Sequence, residues 1–396
     1  MKRDLKYFSI TLIVIIGMLT GLMPSLAQSI KPTVQPLLAL PIPIWKQVNT
    51  NGFGDPANGG IQALEVFTGH MYATSYNYQI GGQVWRLEDD GDWIAVNQPG
   101  FSATDAIINR SIPDLIVFDG NLYAGTGWAG FPGQVWRTTT GTTWNQVVTG
   151  GFGNPNTIVV APFGTYASMI YAGTENKTNG LEIWRSPTGN AGEWIKVVTA
   201  GNGNPNNYIV TSFIEFGGKF YAAVENMTGG AEIWQTDNGS IWSIVASGGF
   251  GDPDNTETGG MTIFGSYLYV GTRNDVTGAQ IFRSANGTTW LPVLEDGFGD
   301  VKNYKIEMIY KVGDKLFAGT DNEQTGTEIW QSTDGLVWNK INIDGFGDSN
   351  TEHVLWNSST IEFEQHLFVG AENSSSGGEI WQLYYGYPNY LPLIKH

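Results

Sequence analysis

The chain has 396 residues, enough for two ordinary domains or for one large all-β domain. Its formal net charge of −17 repels phosphate backbones and anionic lipid, so neither nucleic acid nor a membrane surface is an expected partner, and the absence of cysteine excludes thiolate metal sites, disulfides and cysteine catalysis. With 53 Gly, 15 Trp and 17 Tyr against only 14% charged residues, the composition predicts short strands joined by tight turns.

At the N-terminus, Lys2, Arg3 and Lys6 precede an apolar run over residues 8–23, and Ser25 and Ala27 supply small residues before Gln28. This layout predicts a secretory signal peptide over residues 1–27. The alternative is an uncleaved anchor, since the run is near the lower length for a bilayer span. No second apolar run of that length follows, so a secreted or envelope-bound product is expected, with no membrane insertion after cleavage. Residues 28–43 read as a Pro-rich linker.

Over residues 44–385 the sequence repeats. Ile/Val-Trp recurs at Trp85, Trp136, Trp184, Trp234, Trp330 and Trp381, with Phe282 in the gap, at spacings of 51, 48, 50, 48, 48 and 51 residues. A second series (Trp93, Trp144, Trp194, Trp242, Trp290 and Trp338) follows eight to ten residues behind, beyond a turn such as residues 332–335. Upstream lie a Tyr-Ala-Gly-Thr strand, as at residues 123–126 and 171–174, and another apolar segment such as residues 208–216. Four short strands, A to D, in a period near 50 residues predict radial repetition: an all-β, seven-bladed β-propeller with four strands per blade.

The seventh unit stops after Trp381 without a D strand, while Trp45, Lys46, Gln47 and Val48 match Trp144, Asn145, Gln146 and Val147. The N-terminal strand is therefore expected to complete the last blade and leave no open sheet edge. Residues 386–396, with Pro388 and Pro392, form an expected C-terminal tail.

The C–D turn reads Ser/Thr-x-Asp/Asn-Gly-x-x-Trp at residues 236–242, 284–290 and 332–338, and more loosely at 138–144. This resembles the Asp-box of the sialidase-like (BNR-type) repeat propellers, short by one residue between Asp and Gly. The resemblance implies the fold and no activity. A sialidase would need clustered arginines, and Arg86, Arg137, Arg185 and Arg283 are repeat positions expected to pair between blades.

Strand alternation puts A–B and C–D turns on one face and B–C and D–A loops on the other, here called the top. Two motifs recur on the top. One is Gly-Phe-Gly-Asp/Asn, as at residues 52–55 and 297–300; the other is an acid followed by Asn, as at Glu175, Glu225, Asp321 and Glu372. Both predict turns, with each Phe wedged between blades. The same acids are candidate oxygen ligands for Ca²⁺, although no Asp-x-Asp-x-Asp-Gly loop occurs.

Departures from the repeat mark a candidate binding sector. The loop entering blade 2 (residues 97–113) is read as having lost the Gly-Phe-Gly motif and carries Arg110. The B–C loops of blades 1 and 2 carry Tyr76, Tyr78, Trp128 and Phe131, and the loop entering blade 7 brings His353 and Trp356. Blades 7, 1 and 2 are consecutive once the ring closes. Exposed rings beside polar groups suit a glycan or protein ligand. The expectation is a secreted, monomeric, non-catalytic binding propeller. The alternative is a glycoside hydrolase or lyase using top-face carboxylates, none of which the spacing singles out.

Overall fold

The computed structural model describes residues 41–102, 108–127 and 130–386. The expected signal peptide, the linker up to residue 40, Trp128 and the tail after Gly386 lie outside the described residues. Every regular element among the described residues is a strand or a single 3-10 turn. Strand β1 (Ile42–Gln47) comes first. Six sets of four follow: β2–β5 (Asn58–Phe67, His70–Asn77, Gln83–Leu87, Trp93–Ala95), β6–β9 (Ser111–Phe118, Asn121–Gly127, Val135–Thr138, Trp144–Val148), β10–β13 (Val159–Tyr166, Met169–Glu175, Ile183–Ser186, Ile195–Val198), β14–β17 (Ile209–Phe216, Lys219–Glu225, Glu232–Thr236, Ser243–Ala246), β18–β21 (Glu257–Phe264, Tyr267–Arg273, Ile281–Ser284, Leu291–Leu294) and β22–β25 (Lys305–Val312, Lys315–Asp321, Ile329–Ser332, Asn339–Lys340). The last set is β26–β29 (Thr351–Val354, Thr360–Phe363, His366–Asn373, Glu379–Gly386).

Consecutive strands within a set pair antiparallel, as β2, β3, β4 and β5 do in order. In the last set β26 and β27 both pair with β28, and β28 pairs with β29. The fourth partner is β1, with Ile42 opposite Gly386 and Gln47 opposite Trp381, so the strand starts inside the expected linker. Neighbouring sets are tied where a second strand ends beside the next first strand. Asn77 N donates to Arg110 O, Gly127 faces Val159, Glu175 faces Ile209, and Asn226 N donates to Thr256 O. Arg273 then faces Lys305, Asp321 faces His353, and Glu372 faces Gly60, which returns to the first set. The order is cyclic.

The core lies between sets. Each Gly-Phe pair turns left-handed (Gly52 φ 55°, Phe53 φ 56°; Gly297 φ 61°, Phe298 φ 63°), which costs a non-glycine residue about 1–2 kcal/mol. Ring stacking offsets that cost: Phe53 lies 4.2 Å from Trp85 and edge-on to Trp93, and Phe298 lies 4.3 Å from Trp330 and edge-on to Trp338. The loop entering the second set corrects the sequence reading, because it keeps the device. Gly100 and Phe101 are left-handed (φ 62° and 68°), and Phe101 stacks 5.0 Å from Trp136. The turn needs only that Gly and that ring, so Pro99 before them and Ser102 after them are tolerated.

Repeat acids and arginines are largely structural. The Trp184, Trp234, Trp330 and Trp381 indoles donate to Glu182, Glu232, Glu328 and Glu379, two residues earlier, at 2.7–2.9 Å. Arg137 reaches Asn190 and Arg185 reaches Asn238 O in the following set, whereas Arg86 pairs with Glu88 beside it. In the C–D turn, Ser332 Oγ accepts Gly335 N, and Asp334 accepts Leu336 N and Val337 N, each at 2.8 Å.

Candidate functional site

The residue pairs that end the second strands divide into two roles. The Asn folds the following loop: Asn176 Oδ1 accepts Thr178 N and Asn179 N, and Asn226 Nδ2 donates to Asn207 at 2.7 Å. The residue before it stands at the junction with the next first strand. Tyr76, Glu175, Glu225, Arg273, Asp321 and Glu372 all occupy this position, at the top end of a channel that the first strands surround.

Each of these groups is partnered within the fold. Lys177 lies 3.0 Å from Glu175, and Tyr208 donates to Glu225 at 2.5 Å. Buried Lys305 bridges Glu257 and Glu307, the latter at 2.8 Å, and Arg273 lies 3.0 Å from Asp275 and 3.8 Å from Glu257. His353 Nδ1 contacts Asp321, with Glu352 at 3.5 Å from Nε2. Tyr76 donates to Glu372 at 2.9 Å. Burial would lower the Lys305 ammonium, but Glu257 and Glu307 outweigh it and hold it above its usual value. Burial, seconded by the Glu257 charge, pushes Glu225 up to about 8. Burial also opposes a charged His353; Asp321 overcomes it and raises the imidazolium to about 9.

The channel is closed by an insertion. Nine residues separate the opening Asn from the closing Phe of a first strand in other sets (Asn58 to Phe67, Asn255 to Phe264), whereas Thr351 to Phe363 takes twelve. The extra residues form the 3-10 turn Asn357–Ser359, which reaches across the channel. Asn357 Oδ1 accepts Ile309 N at 3.0 Å and its Nδ2 donates to Met261 O at 3.4 Å. Ser358 Oγ lies 3.2 Å from both Gln62 O and Pro113 O. Trp356, at φ 57° and ψ 167°, lines a cavity of about 80 Å³ together with Pro113, Val159, Pro162, Ile209, Thr211 and Glu257.

The structure brings together part of the expected sector. Tyr76 is 7% exposed and stacks 4.8 Å from Tyr78, which is 45% exposed, and His353 stands beside the same Glu372. Phe131 is exposed in the next set and Arg110 half-buried at its entry, while Trp128 lies outside the described residues. Trp356 corrects the reading of an entry loop: it belongs to an insertion between β26 and β27 and lines the channel with residues of the second to fifth sets. The four proposed Ca²⁺ ligands are each engaged separately, and among the described residues no three His, Cys, Asp or Glu side chains converge as a metal site. Lys305, Glu257, Tyr208, Asn357 and Ser358 were not singled out from sequence. The longer seventh spacing was a signal for Asn357 and Ser358 alone.

The chain matches no family model, and a search of curated proteins found no match. Solved structures similar to it include an ancestral GH74 enzyme (12% identity, 87% of this chain and 51% of that one, TM-score 0.55). A Mycobacterium tuberculosis puromycin-hydrolyzing peptidase is similar at 11% identity over 84% of this chain and 53% of that one, TM-score 0.52. The Dos1 propeller is similar at 16% identity over 83% and 78%, TM-score 0.50. The chain spans about half the length of the enzyme and the peptidase. At these identities the likeness shows the fold alone, a β-propeller.

Proposed function

We propose that this chain is a secreted, non-catalytic propeller of seven four-stranded blades, the last completed by β1, and that it binds a glycan or protein ligand on its top face. Secretion rests on the signal-like N-terminus, and the blade count on the strand pairings and the Trp repeat. The observation that carries binding is the Tyr76–Tyr78 stack. One ring is buried and fixed by Glu372, and it supports the other as a half-exposed platform. A ring held in place stacks on a sugar face or an aromatic side chain at little conformational cost. Arg110, whose carbonyl accepts Asn77 N, and His353, beside Glu372, stand next to residues of the platform, and exposed Phe131 is proposed to extend it. The partnered charges of the channel mouth favour binding over hydrolysis, because no carboxylate named above is left without a partner.

A glycan array and a chromogenic glycoside panel test the reading. Saturable binding without turnover, lost in Tyr78→Ala at unchanged melting temperature, is expected; binding indifferent to Tyr78→Ala would refute it. The hydrolase alternative has one observation in its favour: Glu225, held near 8, is protonated at neutral pH as a general acid must be. Turnover abolished by Glu225→Gln would establish it instead.

A further inference from the structure

Away from the top loops, the junctions between sets are not all alike. In successive junctions from Tyr72 against Gly141 to Tyr269 against Gly335, a second-strand tyrosine sets its hydroxyl against the glycine of the next C–D turn. Two of these phenols also donate to the turn, Tyr123 to Thr188 O at 3.0 Å and Tyr171 to Gly239 O at 3.3 Å. The same position is Phe317 in the sixth set and Phe368 in the last, the latter at the closing junction with the first set. In the first set's C–D turn the place that Gly141 and Gly335 take after Trp136 and Trp330 is held, after Trp85, by Asp90. Phe368 carries no hydroxyl, and it lines a groove of about 760 Å³ between β1, β29 and the turn before β5.

The lining has a specific chemistry. Trp93, Phe363 and Tyr384 offer ring surface, while Gln47, Gln382 and Asp92 offer planar hydrogen-bonding groups. Tyr384 donates to Gln382, which fixes that ring and that amide relative to each other. Rings flanked by amides and a carboxylate recognise a pyranose: the ring covers the apolar C–H face and the planar groups take the hydroxyls. The volume falls within the range of small-ligand sites, roughly 300–1,000 Å³. We propose that the closure groove is a binding site for a neutral oligosaccharide, independent of the Tyr78 platform.

Phe368→Tyr tests this directly, because it adds a hydroxyl to a ring that lines the groove. Neutral cello-, xylo-, manno- and laminari-oligosaccharides would be titrated into the full chain, followed by tryptophan fluorescence and calorimetry. At least one should bind saturably, with affinity reduced about tenfold or more (about 1.4 kcal/mol) by Phe368→Tyr and by Tyr384→Ala, and unchanged by Tyr78→Ala. If Phe368→Tyr misfolds, Tyr384→Ala alone decides. No binding by any of the four sugars, or binding that neither groove variant weakens, overturns the proposal. Loss of binding in Tyr78→Ala alone would assign the sugar to the top face and overturn it equally.

Discussion

Several titratable groups of this chain are buried where charge is costly, and their shifts run in one direction. Burial pushes Asp114 up to about 7 even though its carboxylate accepts Leu115 N and Phe163 N, and it pushes Glu65 up to about 7 as well. Glu225 is raised to about 8, and His353 to about 9 by Asp321 against its burial. A carboxyl harder to ionise folded than unfolded supports the fold only while protonated; an imidazolium easier to keep folded supports it only while charged. The contribution of the acids is therefore present below their ordinary values near 4 and lost as pH rises through about 7 and 8. That of His353 is present below about 6.5 and lost through about 9. Each pH unit between folded and unfolded values is worth about 1.4 kcal/mol. Thermal melts at constant ionic strength should show Tm falling by several degrees between about pH 5 and 9. A Tm that rises over that range would contradict the assignment. Asp114→Asn, which removes the charge, should flatten the lower half of the curve.

At the scale of the element, the insertion in the seventh first strand has the clearest energetic signature. Trp356 holds a backbone conformation costing a non-glycine residue of the order of 1–3 kcal/mol, and the bonds of Asn357 and Ser358 to β2, β6, β18 and β22 hold it there. Asn357→Ala strands the Ile309 N–H and should cost about 1–3 kcal/mol in denaturant titrations. A neutral result would mean that the turn is not anchored across the channel. The C–D turns make a second case. Asp334 sits below the usual carboxylate range because it accepts two backbone N–H groups. Asp334→Ala should lower the melting temperature while leaving top-face binding unchanged, and lost affinity at normal stability would contradict that face assignment. The Phe turns behave differently again: Phe298→Asn should be milder than Phe298→Ala in melting temperature, since Asn tolerates the left-handed backbone, as Asn202 already does at φ 59°.

For the molecule as a whole, stability depends on a strand drawn from the opposite end of the chain. Trp45 donates to Ile341 O at 3.0 Å and packs 5.1 Å from Phe346, while β1 supplies the full ladder to β29. Deleting residues 28–50 removes that ladder, the Asn49 bond to Gly378 O and the Phe-bearing entry loop's anchor. Buried aromatic truncations alone cost roughly 3–5 kcal/mol. The truncated protein should melt well below the full chain and aggregate through the exposed β29 edge, as light scattering would show. Identical melting curves would contradict closure by β1.

The Trp period, the turn residues and the match of residues 45–48 to 144–147 already specify strands, their sets and the partner of the last strand. Such signals are local or periodic, and a repeat multiplies them. The expected Phe wedge was legible for the same reason. The pairings at the channel mouth were not. Glu257 meets Lys305 48 residues away, and Tyr76 meets Glu372 across 296 residues, because a first strand faces the preceding set, and only closure decides which side chains share that junction. The longer spacing before Phe363 was visible, but its residues bond to four strands of four other sets, which no local pattern encodes. The closure groove follows the same logic: Phe368 is an ordinary apolar residue until the ring brings it beside β1 and the first set's C–D turn, where it lines open space.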